Sequence, residues 1–215
     1  MAQEVSTIIG ELIHEAFFKD ESIREKIRPI NQILSEVSAR KFKVDLKLPM
    51  PIDGSFNNYI VSSYHAAKSV ELLIDTARKA FKSRQSEVMP ALITIQHSFG
   101  LEAVVNLNSS RLFLTNHLVL NALGFDSPKL LEEVYSKRFP RLHEVRNAFV
   151  HDDERVLGLV WGKSIGGGIE TLQFIQQDGN RIKVKDRDGA DLLFEFHPAI
   201  YLNLLDDLLQ VLERR

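Results

Sequence analysis

Ile23, Ile27, Ile30, Leu34 and Val37 step along the chain by four and three. That spacing lays them on one stripe of an α-helix, which Pro29 is expected to bend. Residues 41–55, KFKVDLKLPMPIDGS, break the period with a short alternating stretch, two prolines and a glycine, so the chain should loop there. From Phe56 to about Phe81 the helical period returns with two adjacent apolar rows. One holds Tyr59, Ala66, Val70, Leu73, Ala77 and Ala80; the other holds Ile60, Ala67, Ile74 and Phe81. A helix of that length spans roughly 40 Å at 1.5 Å per residue, longer than a small globule requires. Its rows therefore offer a surface for a second copy of the chain as well as for a core.

The segment from Met89 to Leu107 is apolar nearly all round, as expected of a helix in the middle of a bundle. A further helix is predicted from about Ser109 to Leu123, stopping at Gly124 as its C′ residue. Ser127 and Pro128 should start the next, as N-cap and first helical residue. Pro140 restarts a helix that runs through 154. Beyond Glu154 the period changes from 3.6 to 2. RVLGLVW, IETLQFIQ, RIKVK and DLLFEF read as four short strands separated by GKSIGGG, DGN and DRDGA, with Asp178-Gly179 and Asp188-Gly189 as hairpin signals. Pro198 opens a last helix with a stripe of Ile200, Leu204, Leu208 and Val211. The expected fold is mainly α: a helical bundle with a small antiparallel β-hairpin or sheet inserted before the C-terminal helix. We read 1–215 as one domain, with 155–197 the β-rich insertion and 198–215 the closing helix.

Composition narrows the chemistry. The net charge of −2 gives no global attraction for a polyanion, so any such surface must be local. The chain has no cysteine, which removes disulfides, thiolate metal sites and cysteine nucleophiles and fits a reducing compartment. Its first residues, MAQEVSTIIGELIHEAFF, carry glutamates and lack the basic lead of a signal peptide. No apolar run approaches the roughly 20 residues that span a bilayer. The expectation is a soluble cytoplasmic protein.

RNAFVHDDER, residues 146–155, carries the densest chemistry. On a wheel over 142–154, Leu142, Val145, Ala148 and Phe149 form the core side. His143, Asn147, His151 and Glu154 lie opposite, with Arg146 on the flank. Asn147 and His151 are four apart and hence neighbours on the helix surface. Val150 interrupts this polar face, an apolar residue that another surface should cover. A solvated helix side is the ordinary reading of such a pattern. Against it, Arg-Asn-x-x-x-His should arise by chance in only about one chain in a hundred of this length, and it falls on a single face.

Arg146-Asn147-Ala148-Phe149-Val150-His151 resembles the R-(N/H/D)-x-x-x-H form of the motif of HEPN domains. These all-α domains occur in many prokaryotic toxin, abortive-infection, stress-response and CRISPR-associated ribonucleases. The resemblance covers six residues and the helical setting before them; the four strands after the motif depart from the minimal bundle. It implies a homodimer with the motifs of both protomers facing a shared cleft, RNA cleavage without metal or other cofactor, and a possible antitoxin as protein partner. In that role Arg146, Asn147 and His151 would be catalytic. His151 would move the proton of a 2′-hydroxyl, Arg146 would hold the phosphate charge, and Asn147 would orient one or the other. One imidazole serves both ends of an in-line transfer poorly, and the partner's copy would supply the second. Arg138, Arg141 and His143 are candidate RNA contacts beside the motif, together with Lys137. Arg40, Lys41, Lys43 and Lys47 form a second basic group. Glu102 is a candidate carboxylate partner for Arg146.

Three rival readings remain. Gly158–Ser164 has three residues between its glycines where a phosphate loop needs four, and leads into a strand, so it reads as a turn. His151-Asp152 could belong to an HD-type metal phosphohydrolase, drawing on His97, His117, His143 and Asp206. The third is a HEPN-like module without catalysis that binds a nucleotide, RNA or protein. His14, His65 and His197 stand singly and read as structural or surface residues.

Overall fold

A computed structural model describes residues 7, 10, 21–41, 52–82, 89–150, 159–160, 163–164, 173–175, 181–185 and 190–214. Its helices are α1 (Ser22–Lys41), α2 (Ile52–Lys82), α3 (Met89–Leu114), α4 (His117–Leu123), α5 (Lys129–Arg138), α6 (Leu142–Val150) and α7 (Pro198–Glu213). Strands β1 (Leu159–Val160), β2 (Lys163–Ser164), β3 (Gln173–Ile175), β4 (Arg181–Lys185) and β5 (Asp191–Glu195) lie between α6 and α7. The chain is a mainly α bundle with small antiparallel sheets before its last helix.

The stripe of α1 is buried along its whole length, and Pro29 sits inside an unbroken helix. The described members of both rows of α2 turn inward: Ile60 and those from Ala66 to Ala80 lie in the core, the partly buried Tyr59 packs its ring 6.3 Å from that of Phe113, and the Phe81 side chain falls outside the described residues. Side-chain hydroxyls fasten the helices where they are buried. Ser63 on α2 donates to the Ala103 carbonyl of α3 at 2.6 Å and hydrogen-bonds with the Tyr201 hydroxyl of α7 at 3.2 Å. Ser110 on α3 meets the Tyr135 hydroxyl of α5 at 2.9 Å and donates to the Leu107 carbonyl. Burial raises the pKa of both tyrosines, so both remain neutral donors.

Several boundaries differ from the reading by periodicity. Helix α3 does not stop near Ser109 but runs on to Leu114. Ser109 bonds back to the Val105 carbonyl at 2.9 Å and is thus accommodated in mid-helix. The break comes at Asn116, whose side chain caps α4 by accepting from the Leu118 amide at 2.9 Å. Helix α3 is also less central than its composition implies, with Ile93 and Leu112 50% and 53% exposed. At α5 the cap position falls to Pro128 rather than Ser127, without a side-chain cap bond. Gly124 does end α4, with φ 85°.

The β-region holds two pieces. Strands β1 and β2 pair Leu159 with Ser164 and Val160 with Lys163, so part of the stretch read as a glycine-rich turn is strand. The larger sheet has the order β3-β4-β5 and pairs Phe174 with Ile182 and Ile182 with Phe194. Period-2 alternation buries Leu192 and Phe194 on β5 and leaves Asp191 and Leu193 outside. Both glycine turn signals lie outside the described residues.

His197 caps α7 by accepting from the Ala199 amide at 3.2 Å, with Pro198 in the first turn. The buried stripe of α7 is Tyr201, Leu204, Leu205, Leu208 and Leu212, rotated from the predicted one; Ile200 and Val211 are only partly buried. Contact with α1 on one side and α5 on the other chooses among apolar residues that crowd most of its surface. Adjacent aspartates secure both contacts. Asp206 binds Lys26 of α1 at 2.7 Å, and Asp207 binds Arg138 and Lys137 of α5 at 2.6 and 3.1 Å.

Candidate functional site

Helix α6 begins at a tight elbow after α5. Arg141 adopts φ 56°, an uncommon conformation for a side-chain-bearing residue, and its carbonyl accepts from the Glu144 and Val145 amides. Its guanidinium grips the Glu144 carboxylate, with Nε 2.9 Å from Oε1 and Nη2 on Oε2. This ion pair spans the first turn of the helix.

One side of α6 packs as expected: Leu142, Val145, Ala148 and Phe149 are buried. Helix α3 covers that side together with β4 and β5. Phe149 lies 5.6 Å from the His97 ring of α3 and 6.5 Å from Phe196. The aromatic contacts continue through Phe194 and Phe139 to Tyr201. The β-region therefore backs the helix that carries the motif, a role invisible in the sequence because the packed rings lie far apart along the chain.

The other side carries the chemistry. Arg146 Nη1 donates to Asn147 Oδ1 at 3.1 Å, and Asn147 Nδ2 lies 3.1 Å from His143 Nε2. Arg146 and Asn147 are partly buried, and His143 is exposed. Three of the predicted site residues are thus joined in one chain. His151, the proposed proton carrier, lies outside the described residues, as does Asp152. Val150 at the end of α6 is 42% exposed.

Periodicity alone cannot choose between the histidines four residues on either side of Asn147. Asn147 is joined to His143, which the sequence placed on the same polar face and read as a candidate RNA contact; His151 lies outside the described residues.

Arg138 and Arg141 stand near the motif but arrive with acidic partners. Hydrogen bonding to Asp207 raises the Arg138 pKa, and the same bond holds Asp207 below the ordinary aspartate range. Glu102 is not a partner of Arg146: it is exposed on the outer side of α3, where partial desolvation raises its pKa. Apolar neighbours in the sequence made that position read as buried. Of the second basic group, the side chains of Arg40 and Lys41 and all of Lys43 and Lys47 fall outside the described residues.

Among the described residues no three His, Asp or Glu side chains converge as a metal site would require. His97, His117, His143 and Asp206 form no such group among themselves, and the His151-Asp152 pair on which the HD reading rests lies outside the described residues. No helix among them is long and apolar enough to cross a membrane. No protein-family model, curated protein or solved structure matches the chain.

Proposed function

We propose that the protein is a metal-independent endoribonuclease of HEPN type, working as a cytoplasmic homodimer in stress response or defence. The observation that carries this reading is the Arg146–Asn147–His143 chain on the accessible side of α6, within a helical bundle. Arg146 gives one N–H to Asn147, and no described residue takes its Nε or Nη2. Those donors suit the negative charge that builds on a phosphodiester in the transition state. The 2′-oxygen attacks phosphorus as the bond to the 5′-oxygen breaks, leaving a 2′,3′-cyclic phosphate; His151 takes the 2′-hydroxyl proton, and the second protomer's copy of that imidazole gives a proton to the departing 5′-oxygen. The exposed Val150 fits a second protomer covering that end of the helix. Arg138 and Arg141 are each paired with a carboxylate, Asp207 and Glu144, whereas no described carboxylate pairs with Arg146.

The test is cleavage of a structured RNA in excess EDTA. Wild type should cut it, and His151→Ala should slow cleavage by about a hundredfold or more. A wild-type protein that cuts only after metal is restored, or an unaffected His151→Ala protein, would end this reading.

A further inference from the structure

We infer that His143 is a neutral hydrogen-bond donor that presents Nδ1–H to a phosphodiester oxygen, its tautomer set by Arg146 through Asn147. This rests on the ribonuclease reading for its ligand alone. A guanidinium has no acceptor, so the Asn147 atom 3.1 Å from Arg146 Nη1 must be the amide oxygen. The amide nitrogen then points at His143 Nε2, 3.1 Å away, and it can only donate. His143 Nε2 must therefore accept, and the proton of the neutral ring sits on Nδ1. The imidazole is exposed, and no described residue engages Nδ1. Each donor polarises the next, so the positive charge of Arg146 sharpens the outward Nδ1–H.

A donor that ends such a chain selects an acceptor bearing negative charge. The neighbouring cations are partly neutralised, Arg141 by Glu144 and Arg138 by Asp207. A phosphodiester spanning this face can accept from Arg146 at one oxygen and from His143 at another. In this arrangement His143 has no free lone pair with which to accept the 2′-hydroxyl proton. It binds and orients phosphate, Arg146 and Asn147 position it, and proton transfer falls to another residue.

The ring nitrogens of His143, observed by long-range 1H–15N correlation at pH 8 in the wild-type protein, decide the tautomer. Protonated Nδ1 with unprotonated Nε2 is expected, and Asn147→Ala should move the signals toward Nε2–H. A 2′-O-methyl oligoribonucleotide, which cannot be cut, should shift the His143 Nδ1 resonance. His143→Ala should weaken its binding about tenfold, the loss of one hydrogen bond to a charged acceptor. Nε2–H in the wild type, an oligonucleotide that leaves the ring signals unmoved, or unchanged affinity in His143→Ala would each overturn the inference. Cleavage of unmodified RNA is scored separately. Correct tautomer and binding without cleavage would uphold the role of His143 and sink the nuclease.

Discussion

Two hydrogen-bonded chains in this molecule differ in setting. Between α3 and α5, the Ser110 and Tyr135 hydroxyls meet in the core, where both residues are almost wholly shielded from water. On α6, Arg146, Asn147 and His143 meet at the surface. A buried hydrogen bond has no competing water, so losing one partner leaves a costly unpaired group. At the surface, water replaces the lost partner, and the same bond contributes little to stability. The buried chain therefore serves folding, and the open chain is available for a ligand.

The largest effect that sharpens this contrast comes from the apolar side of α6. Phe149→Ala should lower unfolding free energy in urea by about 3–5 kcal/mol through the cavity it leaves between His97 and Phe196. Cleavage by the fraction that stays folded should be little changed. If activity fell while stability held, the two sides of the helix would not be separable.

Tyr135→Phe should cost about 1 kcal/mol in the same measurement, because Ser110 keeps the Leu107 carbonyl when the phenol oxygen goes. No loss would mean that the buried chain is not a stabilising one.

Asp207→Asn should cost no more than about 1 kcal/mol at pH 7, since the Lys137 side of the cluster is open to solvent. The pH dependence has a definite sign. The folded-state pKa of Asp207 lies below its ordinary value of 3.8, chiefly through the Arg138 hydrogen bond. Its stabilisation is thus present above 3.8 and is lost as pH falls through the lower folded value. The gap between wild type and Asp207→Asn should narrow as urea titrations move from pH 7 to pH 3; a gap that widened would refute the assignment.

Arg146→Ala should change stability least, by about 0.5 kcal/mol or less. It should nevertheless reduce RNA cleavage by about a hundredfold, the loss of a donor aimed at transition-state charge. A variant that melts early and cuts normally would make the open chain structural after all.

Much of the scaffold was legible because its causes are local. A 3.6-residue period puts Ile23 through Val37 on one stripe, positive φ suits Gly124, and the ring of Pro198 suits a first helical turn. The core side of α6 followed from the same spacing. Where apolar residues surround a helix, that spacing loses its power to choose. It did not foresee that Leu112 would stay exposed on α3, nor that Tyr201, Leu205 and Leu212 would complete the buried stripe of α7.

The motif divides in the same way. Residue type and spacing alone placed Arg146 and Asn147 on one polar face opposite Phe149, since both follow from the geometry of a single helix. Tertiary structure decided what stands behind them: His97 from α3 and Phe196 from the far side of the β-region, brought together by packing between distant segments. It also decided which nearby cations are already engaged, because Asp207 reaches Arg138 only once α7 lies against α5. Local sequence sets the backbone period and the direction of each side chain, whereas burial and ion pairing depend on contacts between residues far apart in the chain.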